Sequence, residues 1–362
     1  MKKAISFIFW GAIVSIVIFS CGEKEKKTLS PFAGAGTSAN PYQIGTAAQL
    51  AELAELVNEG YYENVVKCFQ LTADIDLSAY GSEWNDGKGW KPIGNTHYFM
   101  GHFDGNHHKV SGLYINDTSL DAVGLFGAIF YNSTVRNLGV EGEVSGHNGV
   151  GGIVGGMAFG ASLTNCYASV AVRGNEEVGG MVGGVTFSSS VANCYTTGSV
   201  AGVKHVGGVT GCLFHNYEYN DNVPNLTNCY ATGRISGVNE IGGIAGSVVE
   251  GGSIDKCYAL NPSIEGALYR NRVLGTYTND VYLYNYAWEG MVALGYNTIY
   301  DYINIGAPNG GDITAEEAKT QKTYSNDWKF GNDDANPWKM GVGEYKLPVF
   351  FWQTTAPGVM PF

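Results

Sequence analysis

The middle of this chain repeats itself, and the repeat carries two markers that stay in register. Gly124-Leu-Phe-Gly127 is followed by Gly152-Ile-Val-Gly155, Gly180-Met-Val-Gly183 and Gly208-Val-Thr-Gly211, each 28 residues on. The next copy, Gly243-Ile-Ala-Gly246, comes 35 residues later. The second marker is Asn137-Leu138, then Asn165-Cys166-Tyr167, Asn193-Cys194-Tyr195, Asn228-Cys229-Tyr230 and Lys256-Cys257-Tyr258, with steps of 28, 28, 35 and 28. One cause explains the long step in both: seven extra residues, 216–222. A repeat of this size builds an array of stacked units, each burying its apolar face against its neighbours.

Within a unit the apolar period is two. Cys166, Ala168, Val170 and Val172 share one parity; Tyr167, Ser169, Ala171 and Arg173 share the other. That alternation is a strand with one buried face. Between the strands there is no helix-length pattern. Glycine supplies the corners: 52 of 362 residues, about twice the usual share of roughly 7%. Propeller blades run about 40–50 residues per repeat and do not fit. The expected fold is therefore all-β, a right-handed parallel β-helix of ~28-residue coils. The parity further places the thiols of Cys166, Cys194, Cys229 and Cys257 inside as a buried ladder, since stacked parallel Cβ vectors suit disulfides poorly. The Asn column (Asn137, Asn165, Asn193, Asn228) is expected to be a hydrogen-bonded turn ladder.

The ends read differently. Thr46 with Gln49 is a capping box ahead of Leu50, Leu53, Ala54 and Val57 on one helical face, so a short N-terminal helix is expected to cover the first coil. Thr314 with Glu317 repeats the device. The Trp-rich tail from Trp328 to Trp352 is expected to form an irregular C-terminal cap that closes the other end. Lys2 and Lys3 precede an apolar run over residues 4–19, which ends at Ser20-Cys21-Gly22. This resembles a bacterial lipoprotein signal, which implies that Cys21 becomes residue one and carries lipid on its thiol and amine. Loss of Lys2 and Lys3 takes the formal charge from −12 to −14. No later segment is long and apolar enough to span a membrane. The organisation follows: a signal peptide (1–20), a flexible tether (21–40), the N-terminal cap and first coils (41–120), the repeat coils (121–265), and the last coils with the C-terminal cap (266–362).

The repeat itself, Gly-Gly-x-Val-Gly followed by Asn-Cys-Tyr-Ala-Thr-Gly, resembles the GLUG motif. That motif occurs in β-helical surface lipoproteins of Bacteroidota-type bacteria and in immunoglobulin-A-cleaving metallopeptidases. Asn40-Pro-Tyr-Gln-Ile44, Leu71-Thr-Ala-Asp-Ile-Asp-Leu77, Trp90-Lys-Pro-Ile-Gly94 and Phe103-Asp-Gly-Asn106 resemble the segments that open such proteins. Ile313-Thr-Ala-Glu-Glu-Ala318 and Tyr345-Lys-Leu-Pro-Val349 resemble those that close them. The resemblance covers most of residues 36–353 and implies fold far more than function.

Little chemistry is legible. There is no His-Glu-x-x-His, so the metallopeptidase activity of some motif carriers does not transfer, and there is no Gly-x-Ser-x-Gly elbow or phosphate loop. His102, His107 and His108 cluster beside Asp104, where a solvent-facing turn explains them without a metal. One column, Gly149, Glu177, His205 and Glu240, stacks carboxylates around a histidine. It reads either as acid–base machinery or as a solvated charge ladder. Two features suggest binding. If Cys points in, then Tyr167, Tyr195, Tyr230 and Tyr258 point out on successive coils and form a row that suits either sugar stacking or mutual stacking. The seven-residue insertion concentrates Tyr217, Glu218, Tyr219 and Asp221 on a projection from a rigid scaffold. An acidic chain has no basic surplus to neutralise phosphates, which argues against nucleic acid. The expected function is a lipoprotein of the cell outer membrane, held by lipid on Cys21, whose adhesive surface binds glycans or partner proteins without a cofactor. The alternatives are a polysaccharide-cleaving β-helix enzyme and a structural envelope spacer.

Overall fold

A computed structural model describes residues 31–63, 65–215, 222–278, 281–295, 304, 306–324, 328–342 and 346–354. Half of the chain is strand and 8% helix, arranged as a β-solenoid of about nine coils of ~28 residues. One coil shows the plan. It runs through Ser162–Thr164, bends at Asn165, continues as Tyr167–Arg173 and Glu176–Gly179, and returns through Val182–Thr186. Every segment pairs in parallel with its copy 28 residues later, Ser162 with Ser190, Tyr167 with Tyr195, Glu176 with Lys204 and Val182 with Thr210. The return strands form a six-stranded sheet from Phe126–Phe130 to Leu274–Tyr277.

The two sequence markers have distinct physical causes. A Cβ built on Gly183 would lie 2.4 Å from the carbonyl carbon of Gly149, and one on Gly211 2.3 Å from that of Glu177. At these positions the return sheet touches the backbone of the opposite wall, so no side chain fits. Asn137, Asn165, Asn193 and Asn228 mark a left-handed bend, with φ of 53°, 54°, 52° and 53°. Asn tolerates that conformation better than most residues. The expected ladder forms in part: the Asn165 amide donates to Asn137 Oδ1 at 3.1 Å and Asn228 to Asn193 Oδ1 at 3.2 Å, while Asn165 Oδ1 is buried without a partner, so the rung between Asn165 and Asn193 is not made.

Each bend turns the next residue into the core. Cys166, Cys194, Cys229 and Cys257 are fully buried free thiols. Each sulfur lies 3.2–3.4 Å from the carbonyl oxygen two residues earlier. Burial pushes the Cys166 and Cys229 thiols up, while at Cys194, between them, hydrogen bonds from both outweigh burial and shift the thiol down; the column packs as small buried side chains.

The helix Ala47–Asn58 buries Leu50, Leu53, Ala54, Leu56 and Val57 in the same core as Ile44, Phe69 and Leu71. Thr46 Oγ1 accepts from the Gln49 N–H at 3.2 Å, while Gln49 Oε1 accepts from the Gly45 N–H at 2.8 Å, one residue earlier than a standard capping box. Thr314 and Glu317 form the complete box.

The C-terminal segment departs from expectation. It does not close the end of the stack; it runs along the flank. Tyr324 and Trp328 pack on Tyr258, and Trp338 and Phe350 lie on Tyr195. Trp352 reaches His107, with ring centroids 4.7 Å apart. Asp334 fastens the strap, accepting from Asn137 Nδ2 at 3.0 Å with one carboxylate oxygen and meeting His107 Nε2 at 2.7 Å with the other.

Candidate ligand-binding cleft

The strap corrects the reading of the tyrosine row. Tyr167, Tyr195, Tyr230 and Tyr258 do face away from the coil interior, and the rings of Tyr195 and Tyr230 stack 4.9 Å apart within 1° of parallel. However, all four are buried in a second apolar cluster with Tyr324, Trp328, Trp338 and Phe350. Their hydroxyls are taken as well. Tyr230 donates to Pro348 O at 2.7 Å, Tyr258 to Thr323 O at 3.0 Å and Tyr167 to Glu141 at 3.2 Å, while Tyr195 accepts from Gln353. An outward apolar stripe this long must be covered, and the chain covers it with its own C-terminal aromatics. With the strap in place the row offers no platform to a sugar. The insertion residues Tyr217, Glu218, Tyr219 and Asp221, and the lipidation candidate Cys21, lie outside the described residues.

The polar constellations are brought together to different degrees. His102 meets Thr134 Oγ1 at 3.0 Å, His107 meets Asp334, and His108 meets Asp74 at 3.0 Å, so the three histidines go to three separate partners. Among the described residues no group of three His, Cys, Asp or Glu side chains is arranged to hold a metal. Glu177, His205 and Glu240 do form a row, all at left-handed backbone positions with φ of 55°, 52° and 62°. His205 Nε2 lies 2.8 Å from Glu240 Oε2, and its Nδ1 is buried without a hydrogen-bond partner. Burial pushes the Glu177 carboxyl up. Burial acts the same way on Glu240, but the His205 hydrogen bond and charge outweigh it and hold that carboxyl below its ordinary value. Cys212, on the return strand of the His205 coil, is 2% exposed, and burial and the Glu177 charge push its thiol up. It is therefore no thiolate nucleophile.

One hollow that the sequence reading did not find is a cleft of about 550 Å³ between the N-terminal helix and the 84–96 loop. The loop is built by local rules. Asn85 and Asp86 take left-handed φ of 55° and 56°, and Gly89, at φ 76°, passes so close to Tyr114 that a Cβ would lie 2.1 Å from its carbonyl oxygen. That approach lets the Trp90 N–H bond to Tyr114 O at 2.8 Å and the Asn116 N–H to Lys88 O at 2.9 Å. Asn58, in the last turn of the helix, ties the far side. It donates to Pro92 O at 2.9 Å and accepts from the N–H groups of Asn95 and Thr96 at 2.8 and 3.1 Å.

The result is a pre-formed site with an apolar lining and a polar rim, the usual character of a ligand pocket. Ala51, Ala54, Trp90, Ile115 and Leu120 supply apolar surface. Trp84, partly exposed, is braced edge-on by Tyr80 at 5.0 Å and carries Lys91 Nζ 5.7 Å from its ring centroid. Lys88 pairs with Asp117 at 2.9 Å, and Glu55 and Glu59 line the helix side. A second hollow of about 490 Å³ beside Tyr167 and Trp352 is polar, and its charges satisfy one another, Lys109 with Glu141 at 3.0 Å and His108 with Asp74. Trp84 beside an Asn-Asp-Gly turn was a visible signal. Its meaning depends on a helix some thirty residues earlier, which Asn58 brings alongside it.

Comparison with known proteins supports the fold. No family model matches the chain. It is 38% identical over 150 residues, 40% of its length, to a protein of Evansella cellulosilytica provisionally named a Gly-rich membrane protein. It is 34% identical over 155 residues to halomucin of Haloquadratum walsbyi. The matches span 16% and 2% of those two proteins. A crystal structure from Bacteroides ovatus, of a protein provisionally named an immunoglobulin A1 protease, aligns over 88% of this chain and 95% of its own with a TM-score of 0.65 and 23% identity. That likeness shows the fold. Among the described residues no helix is long and apolar enough to cross a membrane.

Proposed function

We propose that this chain is an envelope lipoprotein, anchored at the outer membrane through an acylated Cys21, whose β-solenoid binds glycans in the cleft beside Trp84. The observation that carries the reading is the cleft itself: a braced, partly exposed indole over an apolar lining, rimmed by Asn, Asp and Glu side chains. Flat aromatic faces with planar polar partners recognise sugar rings, and the surrounding bonds fix the site before any ligand arrives. The lipoprotein-like leader supports the anchoring, and the name given to the Evansella relative agrees with membrane association. The insertion carrying Tyr217, Glu218, Tyr219 and Asp221 serves as an accessory contact. Binding is preferred to the proteolysis suggested by the name of the Bacteroides ovatus protein. The thiol of Cys212, on the return strand of the His205 coil, is pushed up by burial and the Glu177 charge, so it offers the His205–Glu240 pair no thiolate to activate.

A glycan array probed with purified protein, followed by product analysis, tests this. The wild type is expected to retain one glycan class without cleaving it, and Trp84→Ala to lose it. Retention unchanged in Trp84→Ala moves the site elsewhere; cleavage products make the protein an enzyme. Cys21→Ala is expected to leave unprocessed precursor that no longer partitions with detergent.

A further inference from the structure

The end of the helix Ala47–Asn58 breaks a rule that helices usually keep. Its last carbonyls carry the negative end of the helix dipole, where a cation is favoured. No basic residue lies in that turn. Glu55 and the C-cap Glu59 add two further negative charges there, both exposed and both on the cleft wall. Neither has an ion-pair partner among the described residues. Their exposure means that the fold does not need them, because an uncharged residue of similar length would pack as well. Across the cleft Lys88 is already neutralised by Asp117, which leaves Lys91 as the one ammonium against two free carboxylates. A locally unfavourable charge arrangement that packing does not require, on the wall of a pre-formed cavity, points to a ligand that completes it. The net charge of −12 adds a long-range attraction of the same sign.

We propose that the cleft takes a saccharide bearing protonated amines, a glucosamine-type oligomer. Its ammonium sits at the carboxylates of Glu55 and Glu59 beside the helix C-terminus, and its pyranose ring lies against Trp84. This rests on the reading of the cleft as a glycan site and adds the class of glycan. The ammonium supplies the missing cation at the helix end, and the ring occupies the apolar part of the cleft. An N-acetylated sugar of the same shape would leave both carboxylates unmatched.

The test is calorimetric titration of the purified chain, in mildly acidic low-salt buffer, with three hexamers: β-linked glucosamine, its fully N-acetylated form, and uncharged β-linked glucose. The amine hexamer is expected to bind about tenfold tighter than either other, the size expected of two exposed ion pairs. Glu55→Gln/Glu59→Gln should abolish that preference, so that the variant binds the amine hexamer no more tightly than it binds the neutral one. Equal binding of all three hexamers, or a preference that survives in the double variant, overturns the amine assignment and leaves the glycan reading standing. A lysine-rich peptide that displaces the amine hexamer at lower concentration makes the occupant a peptide. No binding of any hexamer by the wild type defeats both readings.

Discussion

Removing the Trp338 side chain should release the C-terminal strap without unfolding the solenoid. Trp338 is fully buried, stacked 4.7 Å from Phe350 and tilted against Trp328 at 4.5 Å, with the rings of Tyr195 and Tyr230 each 6.2 Å away. Truncating a buried Trp to Ala typically costs about 3–5 kcal/mol. Here one contribution subtracts: the indole Nε1 is buried without a partner, and such a group costs about 1–3 kcal/mol in place. The net loss for Trp338→Ala is therefore about 2 kcal/mol. Trp338→Phe keeps a stacked ring and removes the unpaired N–H, so it should lie within about 1 kcal/mol of wild type. The coils pair with one another independently of the strap, so the loss should appear as local opening. Hydrogen exchange by mass spectrometry should show faster exchange over residues 328–342 and 346–353, with the return strands Val182–Thr186 and Thr210–Phe214 unchanged. If Trp338→Ala protects the strap as wild type does, or Trp338→Phe is as damaging as Trp338→Ala, the packing account is wrong.

Other consequences are direct. Because burial raises the Glu177 carboxyl above its unfolded value, the folded state favours its protonated form, so this group's contribution is present at low pH and is lost as pH rises through the folded value. Glu177→Gln should raise the urea midpoint at neutral pH, with the difference from wild type vanishing in acid; no gain at neutral pH contradicts the burial. With Cys21 replaced, native protein should react with thiol reagents at Cys68, the one partly exposed cysteine among those described, while Cys166, Cys194, Cys212, Cys229 and Cys257 react only after denaturation. Rapid native labelling of Cys194 would invert the inside and outside of the coil. Deleting residues 216–222 should leave the circular dichroism spectrum and melting unchanged, because Thr210–Phe214 and Asn225–Ala231 already pair in register with the coils on either side; a collapse in stability would show that the projection supports the coil.

What the sequence disclosed divides by range. The coil period, the inward thiols and the Asn bends were legible because each is set within one repeat: alternation fixes the buried parity, and a left-handed bend selects Asn. The outward parity of Tyr195 was legible too. Its covering was not, since Phe350 lies 155 positions away and nothing in the local pattern announces the match. An aromatic-rich tail needs an apolar stripe, but the sequence does not say whether that stripe lies at the end or along the flank. The Glu177–His205–Glu240 register was readable from the alignment, whereas the opposite displacement of the two carboxyls depends on His205 bonding to Glu240 and not to Glu177. The cleft was hidden for the same reason as the strap, because Asn58 and Trp84 share a wall only after the chain has folded back on itself.

The most direct test of glycan recognition is the quenching or shift of tryptophan fluorescence on titrating the binding glycan into wild type, with the affinities of wild type, Trp84→Phe and Trp84→Ala measured beside it by calorimetry. A ring in contact with the ligand should give a saturable change in wild type. Trp84→Phe, which keeps a stacking face, should bind within about threefold of wild type, and Trp84→Ala at least about tenfold more weakly, the loss expected when an aromatic contact worth about 1.4 kcal/mol or more is removed. Equal affinities in wild type and Trp84→Ala would contradict the assignment of the cleft as the site.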